Sequence, residues 1–253
     1  MLCKRIVACL DVRDGVVVKG VNFAGLSAAG DPAELAARYN AEGADEIVML
    51  DVSATLQARR TRARTVRAIA NRLFVPFLVG GGVRSLDDAA AVLDAGADKI
   101  SINTAALLDP ALVTRLAVRY GSQAIVVAID AAQEGGRVRI RARSGTQAIE
   151  RDPVEWAMEA VERGAGEILL TSIDRDGTRR GFDCRLTAAV SSRVTVPVIA
   201  SGGAGARHHF LRVFTSGLAD AALAASVFHF SQSSIRDVKS YLRARGVSVR
   251  LPC

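Results

Sequence analysis

Residues 75–83 read VPFLVGGGV, and residues 196–204 read VPVIASGGA. Each stretch opens on Val-Pro, runs through apolar residues and ends in a glycine pair, Gly81-Gly82 in one and Gly202-Gly203 in the other. A short apolar run held between a proline and glycines reads as a buried strand that stops in a tight turn. The two copies lie 121 residues apart. Such a match asks whether the chain is built twice.

Other features repeat in the same order. Gly43-Ala44-Asp45-Glu46-Ile47 returns as Gly164-Ala165-Gly166-Glu167-Ile168, again 121 residues on. Asp11 closes one apolar run as LDV, and Asp130 closes another as IDA, 119 residues later. Gly96-Ala97-Asp98 returns as Gly217-Leu218-Ala219-Asp220 with one residue inserted. The simplest account is two halves, about 1–121 and 122–253, within a single domain over 1–253.

Apolar, β-branched runs predict strands near 4–11, 46–51, 76–80, 98–103, 123–130, 167–172, 196–201 and 220–225. Amphipathic stretches between them predict helices near 31–42, 57–71, 85–95, 109–119, 152–164, 184–193, 206–217 and 233–245. Nearly continuous apolar strands fit a parallel sheet covered by helices. Eight such units in 253 residues predict an α/β fold, a (β/α)8 TIM barrel of two half-barrel repeats. A doubly wound open sheet would more often carry GxGxxG after its first strand, and none is present. Asp31-Pro32, Asp109-Pro110 and Asp152-Pro153 read as helix starts, and Ser85 followed by Asp87 and Asp88 as an N-cap.

Composition narrows the function classes. Half the residues are hydrophobic and 23% are charged, which suits a packed globular chain. No run of about 18 uncharged apolar residues is present to span a bilayer. The opening run IVACLDV is short and carries an acid, so no signal peptide is expected and the cytoplasm is. Cys3, Cys9, Cys184 and Cys253 are scattered without CxxC, and no HExxH accompanies the three histidines. Free thiols, no metal and no cofactor are expected. The net charge of +7 could serve nucleic acid, but aromatics are only 5% and runs such as RRTRARTVR (59–67) read as solvated helix faces. A basic surface also suits a multiply phosphorylated small molecule or an acidic protein partner.

In a (β/α)8 barrel the working residues sit at the carboxyl ends of strands. Gly81, Gly82, Ser201, Gly202 and Gly203 fall there, beside Asn103, Thr104, Ala225 and Ser226 at the ends of the neighbouring strands. Glycine lets backbone approach a ligand, and strand-to-helix turns present N–H groups to anions. Each half would then hold one phosphate, although a glycine pair alone can simply turn a chain. Two cradles imply an elongated substrate phosphorylated at both ends. Asp11 and Asp130 end strands on opposite walls between the cradles, each after an apolar pair. Two facing carboxylates can divide into acid and base, while each could also cap a turn. Asp51 could support either role. Asp176 and Gly177, in IDRDG, are expected to touch phosphate or ribose. Arg5, Glu46, Lys99 and Glu167 lie at strand starts, and even offsets put Arg5 with Asp11 and Lys99 with Asn103 on one strand face. Two cations and two anions there could form a salt-bridge plug or a gate.

ACLDVRDGVVVKGVNF, ADKISINTAA, GAGEILLTSIDRDGTRRGFD and ASGGAG…AALAASVFHF resemble the cyclase subunit of imidazole glycerol phosphate synthase, almost end to end. The resemblance implies that ammonia attacks a bis-phosphorylated ribulosyl-formimino aminoimidazole carboxamide ribotide. Imidazole glycerol phosphate and aminoimidazole carboxamide ribotide would form, with Asp11 and Asp130 as the acid–base pair and Asp130 the general acid. It implies a heterodimer with a glutaminase subunit on the barrel's amino-terminal face, and ammonia passing through the barrel centre. On the same grounds Arg5, Glu46, Lys99 and Glu167 become the ammonia gate, Asp98 a partner contact, and Lys19 part of a lid over substrate. Many members of the family carry a Thr-Gly pair in the variable hairpin loop after strand five, whereas residues 143–150 here read RSGTQAIE. The sister phosphoribosyl-formimino isomerase shares the repeat and the aspartate pair, but not SINTAA or LTSIDRDGT. A homologous subunit serving another amidation pathway and a non-enzymatic phosphosugar or nucleic-acid barrel are the remaining alternatives.

Overall fold

The computed structural model describes residues 2–21, 24–54, 57, 61–229 and 233–251, with the side chains at 19–21 and 24–26 outside that description. Eight parallel strands form the barrel: β1 (Arg5–Arg13), β2 (Glu46–Asp51), β3 (Phe77–Gly80), β4 (Lys99–Ile102), β5 (Ile125–Glu134), β6 (Glu167–Ser172), β7 (Val198–Ser201) and β8 (Ala221–Ala224). Each pairs with the next in chain order. The ring closes where Arg5 of β1 meets Ala221 of β8. β1 and β5 therefore stand four strands apart in both directions, opposite each other.

Alternation along the strands sorts side chains into two cores. Val7, Cys9, Val48, Leu78, Val126, Leu169, Ile199 and Leu223 fill the barrel interior. Ile6, Ala8, Ile47, Phe77, Ile100, Val127, Ile168 and Val198 face outward against the helices. Burial on both faces is why the strands read as unbroken apolar runs.

The helices α1 (Pro32–Ala41), α2 (Ala63–Ala70) and α3 (Leu86–Leu93) follow β1 to β3, and α4 (Thr104–Leu108) and α5 (Ala111–Tyr120) follow β4. In the second half come α6 (Pro153–Glu162), α7 (Cys184–Ser191), α8 (Arg207–Thr215), α9 (Ser226–His229) and α10 (Ile235–Arg243). Capping follows the sequence. Asp31 Oδ1 accepts from the N–H groups of Ala33 and Glu34 at 2.9 and 3.0 Å, and Asp152 Oδ1 from those of Val154 and Glu155 at 2.8 and 3.1 Å. Ser85 Oγ accepts from Asp88 N at 3.1 Å. Each such cap is worth about 1 kcal/mol.

The repeated phrases perform repeated work at the strand starts. Asp45, Asp98 and Asp220 each donate their own N–H to the carbonyl of Ile6, Phe77 and Val198. Their carboxylates accept the N–H of that same residue, at 2.8, 2.8 and 3.1 Å. Gly166 makes the backbone half of the clamp, to Ile125 O at 2.9 Å. The carbonyls of Pro76 and Pro197 accept from Ile47 and Ile168, both at 3.0 Å.

Four strands and two short helices lie outside the predicted pattern. Antiparallel strands Val16–Val21 and Ala24–Gly30 follow β1, and Arg137–Ala142 pairs with Gln147–Ile149 after β5. The short helices α4 and α9 cap β4 and β8. Each is an insertion at the carboxyl mouth, where no helix-facing core imposes a long period. Among the described residues no helix is long and apolar enough to cross a membrane.

Candidate active site

A cavity of about 530 Å³ opens at the carboxyl ends of the strands. It gathers most of the residues singled out from the sequence. Asp11 and Asp130 line it from the opposed strands β1 and β5. Gly81, Gly82, Asn103 and Thr104 line one side, and Ser201, Gly202, Gly203, Ala225 and Ser226 the other. Asp51, Asp176 and Gly177 also face it. Lys19 lies on the strand Val16–Val21, and its side chain is outside the described residues.

Asp130 is held in place from two directions. Asn103 Nδ2 donates to its Oδ2 at 2.9 Å, and the Thr171 hydroxyl of β6 donates to the same carboxylate. Burial in the apolar wall pushes the Asp130 carboxyl up to about 7; Asp176 adds to the rise, and the bonds from Thr171 and Asn103 oppose it. At neutral pH this acid is poised to hold or release a proton. Asn103 Oδ1, buried and without a partner among the described residues, is left to accept from a ligand. Across the cavity Asp11 Oδ1 accepts from Cys9 Sγ at 3.4 Å.

The glycines are demanded by the loops themselves. Gly81, Gly202 and Gly203 have φ of +85°, +91° and +101°. A Cβ on Gly81 would fall 2.2 Å from Asp51 O, and one on Gly203 2.2 Å from Gly181 O. The missing side chain thus lets neighbouring loops stack backbone on backbone, which brings their turns to the cavity wall.

At the other end of the barrel the four charged residues meet as a square. Arg5 Nη1 reaches Glu46 Oε2 at 2.6 Å, and Arg5 Nη2 pairs with Glu167 Oε1. Lys99 Nζ lies 3.1 Å from Glu46 and 2.9 Å from Glu167. Both acids are buried. Burial lifts Glu46 above the ordinary carboxylate range even against the pull of Lys99. Asp98 lies exposed at this end, with Oδ2 engaged by Phe77 N, a structural role that sequence reading missed.

Thr171 was missed too, although its even offset from Glu167 turns it inward. Ser144 and Thr146 also reach the cavity, from the hairpin turn after β5. Arg143 N there donates to Thr104 Oγ1 at 2.9 Å. Only the hairpin's tertiary placement brings those residues to the site.

The histidine biosynthesis protein family matches residues 5–234. Imidazole glycerol phosphate synthase subunit HisF of Acidobacterium capsulatum is 60% identical over 253 residues, covering 100% of both chains. The subunit HisF of Geobacillus thermodenitrificans is 57% identical over 252 residues, and that of Cytophaga hutchinsonii 52% over 250 residues. Each of these alignments covers 99% of this chain and 100% of the relative. A barrel whose carboxyl mouth holds two opposed aspartates, matched end to end at this identity, belongs to the histidine biosynthesis family, among the HisF subunits of imidazole glycerol phosphate synthase.

Proposed function

We propose that the chain is the cyclase of imidazole glycerol phosphate synthase. It would use ammonia to convert the ribulosyl-formimino aminoimidazole carboxamide ribotide into imidazole glycerol phosphate and aminoimidazole carboxamide ribotide. The observation that carries the reading is the opposition of Asp11 and Asp130 across one cavity, with Asp130 raised to about 7. Asp130, protonated for part of the time at neutral pH, serves as general acid. Asp11 serves as the base that accepts a proton as the ring closes. The loops at Gly81-Gly82 with Asn103-Thr104, and at Gly202-Gly203 with Ala225-Ser226, take the two phosphates. Asp176 and Gly177 contact the phosphate or ribose on the second side. Lys19 covers the bound substrate.

Ammonia comes from a glutaminase subunit seated on the amino-terminal face, with Asp98 in the contact, and the square of Arg5, Glu46, Lys99 and Glu167 gates its passage. Support comes from the position of the square at that end and from relatives that are themselves named as subunits. The cytoplasm, where free thiols persist, is the expected compartment.

The test uses the purified chain with the ribulosyl substrate and an ammonium salt. Formation of both products supports the reading, and their absence overturns it. Turnover of the phosphoribosyl precursor without ammonia would point instead to the isomerase. Rescue of a histidine auxotroph separates histidine synthesis from another amidation pathway.

A further inference from the structure

A second, smaller cavity of about 100 Å³ lies on the far side of the loop between β6 and α7, lined by Arg175, Arg180, Gly181, Phe182, Cys184, His209 and Arg212. Unpaired arginines are ordinary on solvated helix faces, but three facing a single hollow are not. Among the described residues none of these three guanidinium groups has an ion pair or a hydrogen bond. The two acids that flank this loop in sequence each hold a backbone N–H. Asp183 Oδ1 caps α7 by accepting from Leu186 N at 3.0 Å, and Asp174 Oδ2 accepts from Gln133 N at 2.7 Å.

The buried histidine supplies a neutral donor. His209 Nδ1 accepts from the backbone N–H groups of Gly205 and Ala206, at 3.2 and 3.1 Å. In the neutral ring that leaves the proton on Nε2, in the wall of the hollow. Burial, with His208 and Arg212 beside it, holds this imidazole below its ordinary pKa and so neutral. The ring packs against Gly181, where a Cβ would lie 3.3 Å from His209 Cδ2, so a side chain there would crowd the imidazole. Three cationic forks and one N–H donor around a space of several waters suit a tetrahedral oxyanion.

We propose that this hollow is an anion site for one phosphoryl group, free phosphate or a small phosphate monoester, separate from the main cavity. The loop 174–182 is a wall shared by the two. Asp176 and Gly177 face the main cavity, while Arg175, Arg180 and Gly181 face the small one. Gly181 N donates to Gly203 O at 2.8 Å, which ties the hollow to the glycine turn of the main site. An anion drawn in by the arginines braces that loop from behind.

Cys184 reports on occupancy. It lines the hollow, and an anion beside it both shields the thiol and disfavours its thiolate. The full chain is alkylated with neutral iodoacetamide, and peptide mapping isolates modification at Cys184. The runs carry rising inorganic phosphate, rising adenosine monophosphate, or chloride at matched ionic strength. We expect saturable slowing at Cys184 of at least about threefold with a phosphate probe, as binding linkage requires for a mostly filled site. The probe acting at lower concentration identifies free phosphate or a monoester as the source. The Arg180→Gln/Arg212→Gln double variant, altered only at exposed positions, loses the effect. No saturable slowing, equal slowing by chloride, or equal slowing in the double variant overturns the proposal. The last outcome would assign the effect to the main cavity.

Discussion

Asn103 Nδ2 donates to Asp130 Oδ2 at 2.9 Å, from the end of β4 to β5 beside it. The amide steadies the ionised form of an acid whose burial favours the neutral one. The pair therefore helps set the pH at which Asp130 takes up and releases its proton.

If Asp130 and Asp11 are the proposed acid and base, Asp130→Asn and Asp11→Asn each remove one end of proton transfer. Each lowers the turnover of the ribulosyl substrate by about 10²- to 10⁴-fold, with KM little changed. In the unmodified chain kcat falls as pH rises through about 7, because the acid loses its proton there. A kcat that stays flat from pH 6 to 9, with chemistry rate-limiting, contradicts the assignment.

Asn103→Ala withdraws a bond that lowers the Asp130 pKa. The alkaline limb of kcat then moves to higher pH. Steady-state rates across pH show the shift, and a limb that stays put or moves down refutes it.

The same group writes itself into stability. Asp130 stands at about 7 in the folded chain against an ordinary value of 3.8. The folded state thus binds the extra proton between those limits. Its contribution is complete below about pH 4 and is lost as pH rises through about 7. Asp130→Asn removes this dependence and gains on the order of 1–3 kcal/mol over the parent at pH 8. Thermal melts of both proteins from pH 5 to 8 check the sign.

Lys99→Met leaves Glu46 and Glu167 facing each other with only Arg5 to balance them. Lys99 keeps some exposure, so a loss of about 1–3 kcal/mol is expected, below that for a fully buried broken pair. If the square is a gate, turnover with free ammonium changes little while glutamine-driven turnover with the partner falls. Equal loss in both assays makes the square a structural plug.

Gly203→Ala drives a Cβ to 2.2 Å from Gly181 O at a φ of +101°. The loop pair must separate, and substrate KM rises about tenfold or more, the equivalent of 1.4 kcal/mol. Gly136→Ala meets nothing within 4 Å and serves as the positive-φ control.

The barrel was legible in the sequence because a doubly covered parallel sheet writes itself as apolar runs, and because duplication gave each run a second witness. Strands at 46–51 and 167–172 came out to the residue. The opposition of Asp11 and Asp130 followed from counting strands. The hairpins were not legible in the residues themselves, and only the family resemblance put one after strand five. Val16–Val21 reads as one more apolar run, and RVRIRA alternates without a core to confirm it. The link from Thr171 to Asp130 was hidden for another reason: it joins neighbouring strands through a register that sequence alone does not specify. The clamps at Asp45, Asp98 and Asp220 were visible as a repeat, yet their purpose emerged only from the strand starts.

Closure of the ring through Arg5 and Ala221 has a consequence for biogenesis. Until the ribosome has delivered residue 221, the first strand has one open edge, and a nascent half-barrel displays unsatisfied amides flanked by apolar surface. Such an edge invites wrong pairing, so the interval before residue 221 emerges is the one in which this chain most needs a chaperone's shelter.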